Sequence, residues 1–404
     1  MLAIFVAACE NHPITFVCQA DAQCTLNARP GICVDTHPAN GVCALQDGTC
    51  ASGYRYDVTA GDSASKCFVF ADGSINPPDM VTPPPEDMTL LPDMTVVPPD
   101  MAGPLPDLAG TPALTWSAQA SGTTTELNGG FASGASAWAV GQNTIRNTTN
   151  TGGTWTPQTT GGTGTQIFYN AWGVSTNELW IVGITSSTSN VATIYHSTNG
   201  GGIWNGQAAG TTTFGGSLRS IGGTSSSEIY AVGDSSKVFK TGNSGANWDE
   251  KTAVSPATTL EGVFAAGSSV VYAVGRAGHI YKSTDGAATA WASQTPTTSN
   301  FYEVWGATAL DVWAVGAGGM VYHTTDGQTW GSVTTGVSSD LLGVWGSGAN
   351  DVFIVGAGGI ILHYYNGTLH REDGGTTANL NAVFGSGVGN VYAVGAGGVI
   401  LHGQ

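Results

Sequence analysis

From residue 113 to the C-terminus, short apolar runs alternate with stretches rich in Gly, Ser, Thr and Asn, and the alternation keeps a fixed beat. Seven times the chain writes an aromatic residue, two small or aliphatic residues and a glycine: Trp138 to Gly141, Trp180 to Gly183, Tyr230 to Gly233, Tyr272 to Gly275, Trp313 to Gly316, Phe353 to Gly356 and Tyr392 to Gly395. The glycines step by 42, 50, 42, 41, 40 and 39 residues. Within a unit, apolar and β-branched runs bounded by turn residues predict strands. In the unit holding Phe353, Leu341 to Gly346 reads as a first strand and Asn350-Asp351 as a turn. Val352 to Val355 reads as a second strand, Gly356 to Gly359 as a turn that tolerates positive φ, and Ile360 to Tyr364 as a third. Asn366-Gly367 turns again into a short fourth strand.

A period near 40 with four strands per unit is the signature of a β-propeller blade, and seven units close a ring. The expected fold is therefore all-β, a seven-bladed β-propeller over residues 113–404. A second column supports it. Phe131, Trp172, Ile221, Phe264, Trp305, Trp345 and Phe384 stand ten to twelve positions before each glycine. Two large apolar residues per blade fill the space between stacked, twisted sheets. The last unit ends at His402-Gly-Gln404, after its third strand, while Leu114-Thr-Trp116-Ser-Ala precedes the first unit. The N-terminal strand is expected to complete blade seven and to cover an edge that would otherwise stay open.

The first 112 residues are of another kind. They carry 13 Asp/Glu against 3 Lys/Arg, whereas residues 113–404 carry 15 against 8. The whole chain has a net charge of −17, which disfavours nucleic acid, since binding polyanions takes Lys and Arg. All seven cysteines lie between Cys9 and Cys67. Cys18, Cys24, Cys33, Cys43, Cys50 and Cys67, in a segment rich in Gly, Asp and Asn, predict a disulfide-held module over 10–72 in an oxidising compartment. Fifteen pairings are possible and the spacing does not choose. No Cys-x-x-Cys pair is present, which argues against a metal site. Eleven of the 17 prolines lie between Pro77 and Pro112, in units such as Pro92-Asp-Met94 and Pro99-Asp-Met101. Proline fixes φ and removes donors, so residues 73–112 read as an extended, disordered stalk reaching on the order of 120 Å.

The remaining cysteine ends the run Val6-Ala7-Ala8-Cys9, which resembles a bacterial lipobox. That resemblance implies a signal remnant at 1–9, lipidation of Cys9, and a surface lipoprotein of the outer membrane or the extracellular side. No run of 18 apolar residues is present, so the lipid would be the membrane contact.

A further motif sits between third and fourth strands. Thr148-Thr-Asn150-Thr-Gly152-Gly-Thr-Trp155 recurs as Ser197 to Trp204 and Thr241 to Trp248, and with one residue more or fewer as Ser283 to Trp291 and Thr324 to Trp330. It resembles the Asp-box, or bacterial neuraminidase repeat, in which an Asp or Asn oxygen caps turn amides and the indole packs beneath. With the repeated Trp-Gly and Asp-Val-Trp-Ala-Val-Gly text, residues 113–404 resemble the seven-bladed photosystem II assembly/stability factor propellers and their bacterial relatives. The resemblance implies a non-catalytic binding or assembly scaffold, without carrying over the photosynthetic partner.

Sialidases share the Asp-box, but their chemistry needs three arginines around a carboxylate, and the propeller has only Arg146, Arg219, Arg276 and Arg371. A two-carboxylate glycoside hydrolase is the alternative. Most acids occupy turn columns: Glu178, Glu228, Asp311 and Asp351 before second strands, Asp285 and Asp326 in the Asp-box turns. His196, His323, His363 and His402 share one repeat position, filled by Lys240 and Lys282 in two other blades, and read as structural. Function belongs where the repeat breaks its own rule. Asp234 and Lys237 in blade three, and Arg276 and His279 in blade four, replace the usual Gly-Ala-Gly-Gly turn. Arg219 and Glu303 break the small or neutral column two residues before the inner aromatic, and blade two lengthens its turn between Ile184 and Thr193. These residues predict a polar patch over blades two to five that binds a protein or polysaccharide, in a monomer, with no cofactor and no metal.

Overall fold

The computed structural model describes residues 113–404 except 187–190, 208–215, 252 and 268, together with the backbone of four strands nearer the N-terminus. The chain forms two compact units, Met1–Ala102 and Gly103–Gln404. In the first, strands Thr25–Leu26, Arg29–Asp35, Gly41–Gln46 and Tyr54–Tyr56 form an antiparallel sheet in chain order, with Cys33 opposite Cys43. Cys9, the disulfide bonds proposed among the other cysteines, and the stalk at 73–112 lie outside the described residues.

Among the described residues of the second unit are seven four-stranded antiparallel sheets. Blade one comprises Leu127–Ser133, Ser136–Gly141, Thr144–Thr148 and Thr156–Gln158. Blade six comprises Leu341–Gly348, Asp351–Gly356, Ile360–Tyr365 and Thr368–Glu372. Blade seven takes Leu380–Gly387, Asn390–Gly395 and Ile400–Gly403 from the C-terminus, and its fourth strand is Trp116–Ala118, with Gly403 opposite Trp116. First strands of successive blades touch around the ring, and that of blade seven touches that of blade one. The result is a closed seven-bladed propeller.

The sevenfold aromatic column is the core between blades. Trp138, Trp180, Tyr230, Tyr272, Trp313, Phe353 and Tyr392 are at most 1% exposed. Burying rings of this size supplies most of the packing energy of such a stack. The second-to-third turns place their middle residue in the left-handed region, at φ 68° for Gly318 and 72° for Gly358. Blades three and four put Ser235 and Ala277 there instead, at 59° and 57°, a conformation that L residues adopt at a cost. Blade two's insertion is a longer hairpin, with Ile184 opposite Ala192 and Thr185 opposite Val191, and its first strand extends alongside.

The structure corrects the second column. Ile221 lies opposite Ala231, and Gly222 is the residue opposite Tyr230, where the other blades place an aromatic. Blade three therefore has no inner aromatic. Elsewhere, all six rings pack over a glycine of the next blade, five of them at the residue after its own inner position and Phe384 over Gly130, since blade one carries Ala132 at that position. A β-carbon on Gly173 would lie 2.7 Å from Phe131, on Gly223 2.9 Å from Trp172, on Gly306 2.5 Å from Phe264, on Gly346 2.6 Å from Trp305, and on Gly385 2.5 Å from Trp345. Blade four, which follows the blade without a ring, has Ala265 at this position. Ser220 instead ties the blades together there, accepting from the Val263 amide at 3.2 Å and meeting Asn170 Nδ2 at 3.3 Å.

The turns before the fourth strands close on themselves. Thr148 Oγ1 donates to Asn150 Oδ1 at 2.8 Å and accepts from the Gly152 amide at 3.0 Å. Asn150 Oδ1 also accepts from the Thr154 amide at 3.0 Å. Ser197 with Asn199, Thr241 with Asn243, Ser283 with Asp285 and Thr324 with Asp326 begin the same arrangement. Hydrogen bonds from Thr289 and Ser283 hold the Asp285 carboxyl down at about 2.

Candidate functional site at the channel mouth

Each first strand carries a buried anchor opposite the glycine of the repeated aromatic-x-x-Gly motif: Leu127, Phe168, Leu218, Leu260, Phe301, Leu341 and Leu380. The residue after each anchor forms a rim of Asn128, Tyr169, Arg219, Glu261, Tyr302, Leu342 and Asn381. One residue further along lie Asn170, Ser220 and Glu303, with glycine or alanine in the other blades. All of these polar residues line a cavity of about 380 Å³ that the inner aromatics also wall. That volume falls within the range of small-ligand sites, roughly 300–1,000 Å³. Arg219 and Glu303 are thus not column mates, contrary to the spacing read from the aromatics. Arg219 belongs to the rim and Glu303 to the next layer.

Charge is concentrated on the rim at blades three and four. Arg219 Nε donates to Asp234 Oδ1 at 2.9 Å, and its Nη1 lies 3.3 Å from Glu261 Oε2. Arg276 Nε donates to Glu261 Oε1 at 3.0 Å. The Arg219 guanidinium lies over the Tyr169 ring, 5.6 Å from its centroid. Burial disfavours charge on Arg219, but Glu261 and Asp234 more than offset it and raise its pKa. Burial likewise opposes ionisation of Asp234, yet the Ser217 amide and Arg219 hold its carboxyl below the usual range. The Arg276 side chain stays 54% exposed and faces solvent beyond its ion pair.

Glu303 is the exception. Its Oε1 accepts from the Val304 amide at 3.0 Å. Burial pushes its carboxyl up to about 8, and the charge of Glu261 adds to the shift. Near neutral pH it is mainly a neutral acid, able to donate a hydrogen bond into the cavity. Gly262 makes room for it, since a β-carbon there would lie 2.7 Å from Glu303 Oε1.

Of the residues singled out by sequence, the structure brings Arg219, Asp234 and Arg276 together, with Glu303 beneath. Lys237 turns aside to pair with Glu250, and His279 Nδ1 meets Thr295 Oγ1 at 3.0 Å. Glu261, which joins the two arginines, was missed. Aligning the blades on the anchor rather than on the inner aromatic would have found it, because Leu260-Glu261 repeats Leu218-Arg219.

The histidine column is built into the blades. His196 stacks on Trp180 at 4.3 Å, His323 on Trp313 at 3.8 Å, His363 on Phe353 at 3.9 Å and His402 on Tyr392 at 4.4 Å. Lys240 and Lys282 lie over Tyr230 and Tyr272 in the same way. The acids before the second strands are their partners: Glu178 for His196, Glu228 for Lys240, Asp311 for His323 and Asp351 for His363.

Residues 223–341 match the model of the DUF6242 β-propeller domain. No curated protein matches the chain. Among solved structures, YCF48 bound to a D1 peptide is similar with a TM-score of 0.59 at 20% identity, over 71% of this chain and 96% of that one. Virginiamycin B lyase from Staphylococcus aureus is similar with a TM-score of 0.60 at 14% identity, over 72% of this chain and 99% of that one. A GH74 enzyme from Niastella koreensis is similar with a TM-score of 0.55 at 16% identity, over 71% of this chain and 53% of that one. At these identities the likeness is one of fold: the chain is a seven-bladed propeller of the architecture shared by binding proteins and enzymes.

Proposed function

We propose that this protein is a non-catalytic binding propeller that seats a segment of a partner protein across the mouth of its channel. The observation that carries the reading is the cluster of Arg219, Asp234, Glu261 and Arg276 on the rim, above the neutral Glu303. The ion pairs fix the side chains before a ligand arrives, which lowers the ordering cost of binding. Arg276 keeps an exposed guanidinium for a carbonyl or carboxylate, and Glu303 offers a donor to a neutral acceptor. The similar fold of YCF48 bound to a D1 peptide supports a peptide as occupant. In the same proposal the protein is exported and held to the cell envelope by lipid on Cys9, with residues 73–112 as the spacer. Mass spectrometry of the mature chain checks the lipid.

The test of the site is affinity capture of a partner from a native envelope, followed by calorimetry of that partner with wild type and the double variant R219A/R276A. The double variant is expected to bind at least about tenfold more weakly, a change on the order of 1.4 kcal/mol. Equal affinity would remove the rim cluster from the site.

A second reading, glycan hydrolysis, has one specific observation behind it. Glu303 is an acid kept protonated, next to a carboxylate, Glu261, held by two guanidinium groups, and enzymes that cleave glycosides pair an acid with a carboxylate. Turnover of a labelled polysaccharide panel that disappears in E303Q would favour it over the binding reading.

A further inference from the structure

The joint that closes the ring departs from the joints it repeats. At two other joints an indole donates to a glutamine of the preceding blade: Trp248 Nε1 to Gln207 Oε1 at 2.8 Å, and Trp330 Nε1 to Gln294 Oε1 at 3.1 Å. Those glutamines stand three residues after Trp204 and Trp291. The matching position in blade six, three after Leu369, is Glu372. Its partner is Trp116 on the closing strand, whose Nε1 donates to Glu372 Oε2 at 2.6 Å. The Leu114 amide donates to Oε1 at 3.2 Å. A carboxylate has replaced the amide at the joint between blade six and the closing strand.

His363 completes the arrangement. Its side chain is fully buried, with Nδ1 2.8 Å from Glu372 Oε1 and Nε2 2.7 Å from Asp351 Oδ1. A neutral imidazole carries one N–H, so both contacts are hydrogen bonds only when the ring is a cation. Around it stand Asp351 on the second strand, Glu372 on the fourth, and the Phe353 and Tyr365 rings at 3.9 and 4.8 Å. Asp351 also accepts from Ser347, and Tyr365 stacks on His370. The closing strand and its lead-in, Leu114 to Ala118, bring no charged side chain.

We infer that the propeller is closed by a proton-dependent latch, in which His363 as imidazolium holds Glu372 in place for Trp116 and Leu114, and loss of its proton loosens the closing strand. Without the proton, either Asp351 or Glu372 faces a ring nitrogen with no hydrogen to give, and where that nitrogen is Nδ1, Glu372 keeps only the Trp116 and Leu114 donors. Burial opposes the charge on His363, but Asp351 and Glu372 overcome it and raise its pKa above 6.5. A base raised on folding stabilises the fold fully below its unfolded value of about 6.5, and that contribution is lost as pH rises through the folded value.

Native-state hydrogen exchange on the full chain tests the latch. The amides to follow are Thr115, Gln119 and Gln404, which bond to Gln404, Ile400 and Thr115 across the closing strand. In wild type their protection, corrected for intrinsic exchange, is expected to be greatest near pH 6. It should fall above about pH 6.5, by roughly tenfold for each pH unit by which folding raises His363. E372Q restores the amide used at the other joints and should stay closed while losing the pH step. H363N should lose the step too, with weaker protection at pH 6. Second-strand amides such as those of Trp313 and Tyr272 report whether each variant is folded, and H363N carries the test if E372Q is not. Wild-type protection that is flat from pH 6 to 9, or a step that persists in a folded variant, would overturn the latch.

Discussion

At the scale of the residue, Glu303 is a carboxyl whose surroundings oppose its charge. Its carboxyl titrates near 8 in the fold and near 4.5 when unfolded, so the folded state binds the proton more tightly. Between those values the native state holds a proton that the unfolded chain has lost, and stability therefore falls as pH rises from about 4.5 to 8. Replacing Glu303 with Gln removes the penalty while keeping a donor. E303Q is expected to be more stable than wild type by about 1–3 kcal/mol at pH 8 and to converge with it near pH 4.5, as read from urea unfolding at both values. A gain of the same size at pH 4.5 would show that packing, not ionisation, is responsible. The sequence marked Glu303, because an acid in a column of small residues breaks a visible rule. It did not mark Glu261, whose column already mixes Asn, Tyr, Arg and Leu and so sets no rule to break.

At the scale of the element, the blades were legible because the second strand must be apolar on both faces, and that leaves a dense, regular text. The inner strand was less so. Its register depends on a bulge at the residue after the anchor, and sequence spacing slipped by one in blade three, where Ile221 stood in the place that Gly222 occupies. The slip hid a relation between blades: each ring meets a glycine of the next blade, Phe384 meeting Gly130 where blade one carries Ala132 at the usual place, and the blade without a ring is followed by Ala265. That relation makes two substitutions of one methyl group unequal. Gly346→Ala drives a β-carbon into Trp305 and into the Asp351 carbonyl, and should cost about 1–3 kcal/mol. Ala265→Gly removes a methyl where no ring from blade three arrives, and should cost about 1 kcal/mol or less. Equal losses for the two in thermal unfolding would show that the aromatic-on-glycine contacts do not set the spacing of the blades.

At the scale of the whole molecule, stability depends on whether the ring is shut. Each blade is covered on both faces only because it has two neighbours, so an open ring exposes a blade face and a strand edge together. The strand that prevents this is three residues long, Trp116–Ala118, yet it bonds to Ile400–Gly403 and plants an indole on Glu372. Two truncations that differ by a few residues should therefore behave differently. A chain starting at residue 113 keeps Leu114, Trp116 and every bond at the joint, and its melting temperature is expected to match the full chain within about 2 °C. A chain starting at residue 120 leaves the third strand of blade seven as a bare edge and Glu372 without the Trp116 and Leu114 donors. The loss should be on the order of 3–5 kcal/mol, a fall of several degrees in melting temperature. The bare edge also invites pairing with another chain, so light scattering should show oligomers in the shorter chain and none in the longer. If both truncations melt and scatter alike, the ring is held by contacts between blades alone, and the closing strand, with the proton-dependent joint that grips it, is dispensable to the fold.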